Sequence, residues 1–357
     1  MLRVTAFRFR PLDVPLIEPF GIAGGAQEVA KNVLVELELE DGTLGIGEAA
    51  PFPAVNGETQ TDVLAALETT RDLVLGADAR QFRPLDAELA ERLTFTPTAL
   101  AAIEIALFDA LARHADLPLW ALFGGAESKL QTDITIPTGD ETHARDSARR
   151  AREGGFSSLK IKIDGRTFDR DVVRVRAIHD EAPDARLLLD ANASLSAQDA
   201  LTFLSALAEA RDSIVLFEQP TPAEDYDGLA RVQRDGHVLV LADESVRSRA
   251  DLIRIVRRGD IGAVNVKTAK VGLVAAWDLL VTARTAGLDV MIGGMVETEL
   301  SMSTSACLAA GVGGVRFVDL DTPLFLGPRP LRGGFEQRGP WLDLSTIRLG
   351  HGVSVVS

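Results

Sequence analysis

Five charged residues end five successive short apolar runs, and their spacing restricts the fold more than any other feature of the chain. The runs read SSLKIK, RLLLD, IVLFE, VLVLAD and AVNVK, and they carry Lys162, Asp190, Glu218, Asp243 and Lys267 at their ends. Successive members are 28, 28, 25 and 24 positions apart. A strand, a loop and a helix together take roughly 30 residues. Five successive strands then deliver Lys, Asp, Glu, Asp and Lys to one end of the same sheet.

The rhythm extends in both directions. QTDITIPT precedes the five runs, LDVMIGGM and GVRFVDLD follow them, and helical stretches such as AQDALTFLSALAEA and RADLIRIVRRGD lie between. Ser248 and Asp251 form a capping box before the latter. Strict alternation of strand and helix argues a parallel sheet, and eight such strands argue a (β/α) barrel with its site at the carboxyl ends of the strands. The first part of the chain reads differently. NVLVELELEDG alternates Val33, Val35, Leu37 and Leu39 with glutamates, and Asp41-Gly42 signals a hairpin to TLGIGEA. PFGIAGGAQE and APFPAVNGET read as loops. TALAAIEIALFDALARHADL is a long apolar-rich helix. The tail after Pro330 reads as loop plus one short strand, packed back on the first domain.

Asp190, Glu218 and Asp243 supply oxygen ligands alone, which suits a hard cation such as Mg²⁺. No histidine ends a strand-like run, so zinc and a histidine base are both disfavoured. Lys160 and Lys162 are two apart and share a strand face. The charge of one lysine lowers the pKa of the other and makes a neutral amine available. Lys267 comes four strands after Lys162, which in a ring of eight is the opposite side. A substrate carbon between the two could lose a proton to one and regain it from the other. Lys270 reads as a rim residue. Asp319 and Asp321 share a face at the last strand; they could clamp a substrate ammonium, or merely mark the turn into Thr322-Pro323.

The chain has 357 residues, 46% of them hydrophobic, with 37 basic and 52 acidic side chains and a net charge of −15. That excludes a basic nucleic-acid footprint. A single cysteine, Cys307, allows no internal disulfide. No run of about 18 apolar residues exists, so no membrane span is expected. MLRVTAFRFR lacks a signal peptide's apolar core, and a cytoplasmic location is expected.

With these residues in place, the chain resembles the enolase superfamily, muconate-lactonizing subgroup, over nearly its full length. The resemblance rests on AAIEIALFDALA followed by LPLWALFGG, KIK at 160–162, DAN at 190–192, EQP at 218–220, ADES at 242–245, NVKTAK at 265–270 and GGMVET at 293–298. It implies a modified (β/α)₇β TIM-like barrel at 126–325 and an α+β capping domain at 1–125, to which residues 326–357 return. It also implies one Mg²⁺ per subunit on Asp190, Glu218 and Asp243, an acid/base pair Lys162 and Lys267 assisted by Lys160, and a homo-oligomer. The DLD at 319–321 is similar to the motif with which dipeptide epimerases hold a free amino group. Thr135 and Glu297 match positions near the substrate, and Gly24 lies in the loop that covers it. The implied activity is epimerisation of an L,L-dipeptide at its C-terminal residue. Pro19 to Glu28 contains no Arg or Lys, where epimerases for L-Ala-D/L-Glu carry an arginine, so a hydrophobic or cationic side chain is expected instead of Glu. The alternatives are o-succinylbenzoate synthase or N-succinylamino acid racemase of the same subgroup, whose substrates give Asp319 and Asp321 nothing to bind, and a non-catalytic small-molecule binder.

Overall fold

The computed structural model describes residues 1–22 and 25–356, the side chains of residues 18–26 apart. Gly24 lies outside the described residues.

Three antiparallel strands open the chain: β1 (Val4–Ile22), β2 (Gly25–Leu39) and β3 (Leu44–Ala49), in the order β1-β2-β3. Of the stretch expected as a loop, residues 19–22 and 25–28 are instead strand backbone, with Phe20 paired to Gln27 and Ile22 to Gly25. Pro11, Pro15 and Pro19 do not break β1 because it is an edge strand, where a missing N–H need face no partner. The helix Pro97–His114 lies against β3. A Cβ at Gly45 or Gly47 would meet Ala106 O at 2.1 Å or Ala102 O at 2.0 Å, so glycine is what admits the helix. The far side of this helix meets the barrel: Phe108 and Trp277 pack edge to face at 6.3 Å. Covered on both sides, the helix is apolar nearly all round.

Residues 134–319 build the parallel barrel. Its strands are β5 (Ile134–Ile136), β6 (Ser158–Lys162), β7 (Arg186–Asp190), β8 (Ile214–Glu218), β9 (Val240–Ala242), β10 (Ala263–Lys267), β11 (Asp289–Gly293) and β12 (Phe317–Asp319). Each pairs in parallel with the next in sequence. The ring closes where Asp133 N–H donates to Val318 O at 2.9 Å and Leu320 N–H to Thr132 Oγ1 at 3.0 Å. Helices separate all the strands, including Arg249–Arg258, which Ser248 caps through Asp251 N–H as the sequence predicts.

The tail holds more strand than expected. β13 (Leu331–Gly333) pairs with β16 (Val353–Val355), and β14 (Glu336–Arg338) and β15 (Trp341–Asp343) form a sheet with β4 (Lys129–Gln131). These three-residue pieces are too short for an alternating pattern to show. His351, buried, donates its backbone N–H to Asp109 Oδ1 at 3.1 Å and sets its Nε2 3.0 Å from Ile46 O. The tail thus meets both the long helix and β3. Among the described residues no helix is long and apolar enough to cross a membrane.

Candidate active site

Alternation along the barrel strands decides what the mouth presents, because residues two apart share a face. Leu188, Leu216, Leu241, Ala263, Met291 and Phe317 form a buried apolar cluster inside the ring. Two positions further on the same strands stand Asp190, Glu218, Asp243, Asn265, Gly293 and Asp319. A polar layer therefore rests on an apolar floor. Register aligns it: Lys162 pairs with Asp190, Asp190 with Glu218, Lys267 with Gly293, and Gly293 with Asp319. All five strand-end residues of the sequence motif converge at this mouth, and Lys162, Lys267, Asp319, Asp321 and Thr135 line one cleft.

Lysines and carboxylates interlock there. Lys162 Nζ donates to Asp190 Oδ2 at 2.6 Å. Lys160 Nζ, 1% exposed, lies 2.6 Å from Asp319 Oδ2, 2.8 Å from Glu218 Oε2 and 3.2 Å from Asp190 Oδ2. Lys267 Nζ donates to Asp243 Oδ2 at 2.7 Å. Burial opposes ionisation of Asp190, but Lys162 and Lys160 outweigh it and hold the carboxyl down to about 2. Burial and the neighbouring charge of Asp190 push Glu218 up to about 7. Burial also disfavours the charged forms of Lys160 and Lys267, yet the carboxylates outweigh it and raise both. The sequence expectation that crowding between Lys160 and Lys162 leaves a neutral amine does not hold for Lys160. The charge of Lys160 is met by three carboxylates, which spacing alone did not place.

Lys270 is not a rim residue. It bonds the second oxygen of Asp243, and donates to Asp243 O at 2.8 Å and Asn265 O at 3.0 Å. Its backbone turn, Thr268–Val271 directly after β10, returns its side chain to Asp243.

Asp190, Glu218 and Asp243 are at most 3% exposed and offer only oxygen donors, and Glu218 Oε2 accepts no aligned hydrogen bond. That donor set fits a hard divalent cation. A different trio is the tighter cluster: one oxygen from each of Asp133, Asp319 and Asp321 lies within 4.8 Å of the others. Asp133 went unnoticed in the sequence, although it stands two positions before Thr135 on the same face. Asp321 Oδ2 accepts from Thr135 N–H at 2.5 Å. Burial and the charge of Asp319 push Asp321 up to about 7.

The loop after β11 completes the cleft with Gly294, Met295 and Val296, and the capping domain adds Phe52 and Val55. Glu297 itself turns onto that loop, its Oε2 accepting Met295 N–H at 2.6 Å. Gln219 has a positive φ of 33° and a fully buried side chain. Its Oε1 accepts from Asp243 N–H at 2.8 Å and Ser245 N–H at 3.1 Å, fixing the turn that presents Asp243.

A closed parallel barrel with its ionisable groups gathered at the carboxyl ends of the strands is the architecture of a barrel enzyme. Residues 4–124 match the mandelate racemase/muconate lactonizing enzyme N-terminal domain, and residues 143–356 the enolase C-terminal domain-like family. The chain belongs to the enolase superfamily and is an enzyme of the isomerase type. It is 47% identical over 352 residues to an aromatic dipeptide epimerase of Herpetosiphon aurantiacus, covering 99% of each chain. It is 37% identical to a hydrophobic dipeptide epimerase of Citrifermentans bemidjiense, over 93% of this chain and 90% of that one. The crystal structure of a dipeptide epimerase from Enterococcus faecalis, complexed with Mg and the dipeptide L-Leu-L-Tyr, superposes with a TM-score of 0.94 at 32% identity, covering 99% of both chains.

Proposed function

We propose that the protein is a Mg²⁺-dependent dipeptide epimerase that inverts the α-carbon of the C-terminal residue of an L,L-dipeptide. The observation that carries this reading is the placement of Lys162 and Lys267. They end β6 and β10, four strands apart in a ring of eight, and line one cleft. In this reading Lys162 takes the proton from one face of the α-carbon and Lys267 returns one to the other face, through an enediolate. Lys160 assists by directing its charge at the substrate carboxylate. Asp190, Glu218 and Asp243 would hold one Mg²⁺ per subunit, which when bound supplies positive charge against that carboxylate. Asp319 and Asp321 accept hydrogen bonds from the free amino terminus, with Thr135 orienting Asp321. Glu297 acts through the loop it fastens. The chain divides at residues 125/126 and 325/326, the first and last parts forming the cap.

The relatives' activities support the dipeptide. The lining of the cleft supports an apolar side chain on the C-terminal residue: Phe52, Val55, Met295 and Val296 are its hydrocarbon wall. A pool of L,L-dipeptides incubated in D₂O with Mg²⁺ tests the reading. Dipeptides with apolar C-terminal residues should gain one mass unit and appear as L,D isomers, ahead of L-Ala-L-Glu. Equal turnover of the acidic and apolar dipeptides would remove the side-chain assignment. Exchange with N-succinylamino acids and none with dipeptides would sink the epimerase reading.

A further inference from the structure

Beneath the acid pair at the end of β12 lies a carboxylate without a partner. Asp133 is 3% exposed, and neither of its side-chain oxygens accepts a hydrogen bond. Its backbone closes the barrel against Val318, so its position is fixed by the ring itself. A buried carboxylate left unbonded is costly to keep, and the surroundings add to the cost. Burial and the charges of Asp319 and Asp321 raise its pKa well above the usual carboxylate range. The positive charge of Lys160 opposes this rise, but Lys160 already contacts Asp319, Glu218 and Asp190.

The geometry describes what would relieve the cluster. Oxygens of Asp133, Asp319 and Asp321 that lie within 4.8 Å of one another share a centre no more than about 2.8 Å from each, the length of a charge-assisted N–H···O bond. A primary ammonium carries three N–H donors, one for each carboxylate. Resting on the reading in which Asp319 and Asp321 hold the dipeptide's amino terminus, we propose that Asp133 is a specificity-determining residue that accepts the third N–H and so selects a primary amino group.

N-methylation of the substrate removes one donor and sets a methyl group against an acceptor. Michaelis constants are to be measured for the best-turned-over L,L-dipeptide and its N-methyl derivative. For the wild type, KM of the N-methyl compound should be at least roughly tenfold higher, the effect of one lost bond to a charged group. Asp133→Ala removes the acceptor and leaves room for the methyl, so the ratio of the two KM values should fall toward one. Its kcat for the primary amine should stay within roughly threefold, since the lysines are untouched. A ratio that Asp133→Ala leaves unchanged overturns the proposal, because loss of packing alone would weaken both substrates alike. Should Asp133→Ala fail to fold, Asp133→Asn keeps the shape. It should raise KM for the primary amine with kcat held, and an unchanged KM overturns the proposal. Asp319→Asn separates the two levels. If it leaves KM for the primary amine unchanged, the ammonium reading itself fails. If it raises KM while the Asp133 variants leave the ratio alone, only the role of Asp133 is lost.

Discussion

Glu48, on β3 of the first sheet, caps the helix Glu299–Val312 that follows β11 of the barrel. Its carboxylate accepts from Thr298 N–H at 3.1 Å, from the Thr298 hydroxyl at 2.7 Å and from Ser301 N–H at 3.2 Å. Asn32 Nδ2 binds the same carboxylate at 2.7 Å and Val296 O at 3.0 Å. A single buried acid therefore fastens the cap to the loop that lines the cleft.

Glu48→Ala leaves several buried donors open at a helix N-terminus. It should destabilise the protein by about 3 kcal/mol, read by urea denaturation, and raise KM by loosening residues 294–296. An unchanged midpoint would show that water replaces the carboxylate without loss.

Lys267→Ala should abolish epimerisation, a loss of roughly a thousandfold for removal of one acid/base group. It should still allow exchange of the α-proton of one stereoisomer with D₂O, because Lys162 remains. L,D product formed by this variant at well above about a thousandth of the wild-type rate would contradict proton transfer from two sides.

Mg²⁺ should raise the thermal midpoint of the wild type, since a ligand that binds the native state alone stabilises it. Asp190→Asn and Glu218→Gln should each lose most of that rise. A rise preserved in both variants would place the cation elsewhere, and Asp133→Asn would then locate it.

Asp321 titrates near 7, above its unfolded value of 3.8. Between those two values the native state holds a proton that the unfolded chain releases, so this group's contribution to stability falls as pH rises through the window. Asp321→Asn should therefore show a flatter stability profile between about pH 4 and pH 7. Binding runs the other way. Only the ionised carboxylate accepts all its bonds from an ammonium, so KM for a dipeptide should rise as pH falls below about 7. A KM independent of pH from 5 to 8 would contradict the assignment.

Much of this site was legible in the chain because its determinants are local. The three acids each stand two positions beyond an apolar floor residue, Asp190 beyond Leu188, Glu218 beyond Leu216 and Asp243 beyond Leu241, and period-two alternation fixes their common face. The hairpin arm before β2 was misread because glycine and proline were weighed as breakers, while pairing along an edge strand satisfies the backbone regardless. The role of Lys270 is not legible in the pattern because a short helical turn after β10 brings its side chain onto Asp243. Glu48 and Thr298 lie 250 positions apart, and nothing in either segment announces the other.

The sequence by itself determined the order of the strands and which residue each delivers to the mouth, since both follow from spacing and alternation along the chain. The tertiary structure alone decided the pairings: which lysine neutralises which carboxylate, how Asp133 converges on Asp319 and Asp321, and how Thr135 reaches Asp321 across 186 positions. Closing the ring brings its first and last strands together, and electrostatic balance in a buried site depends on such through-space distances.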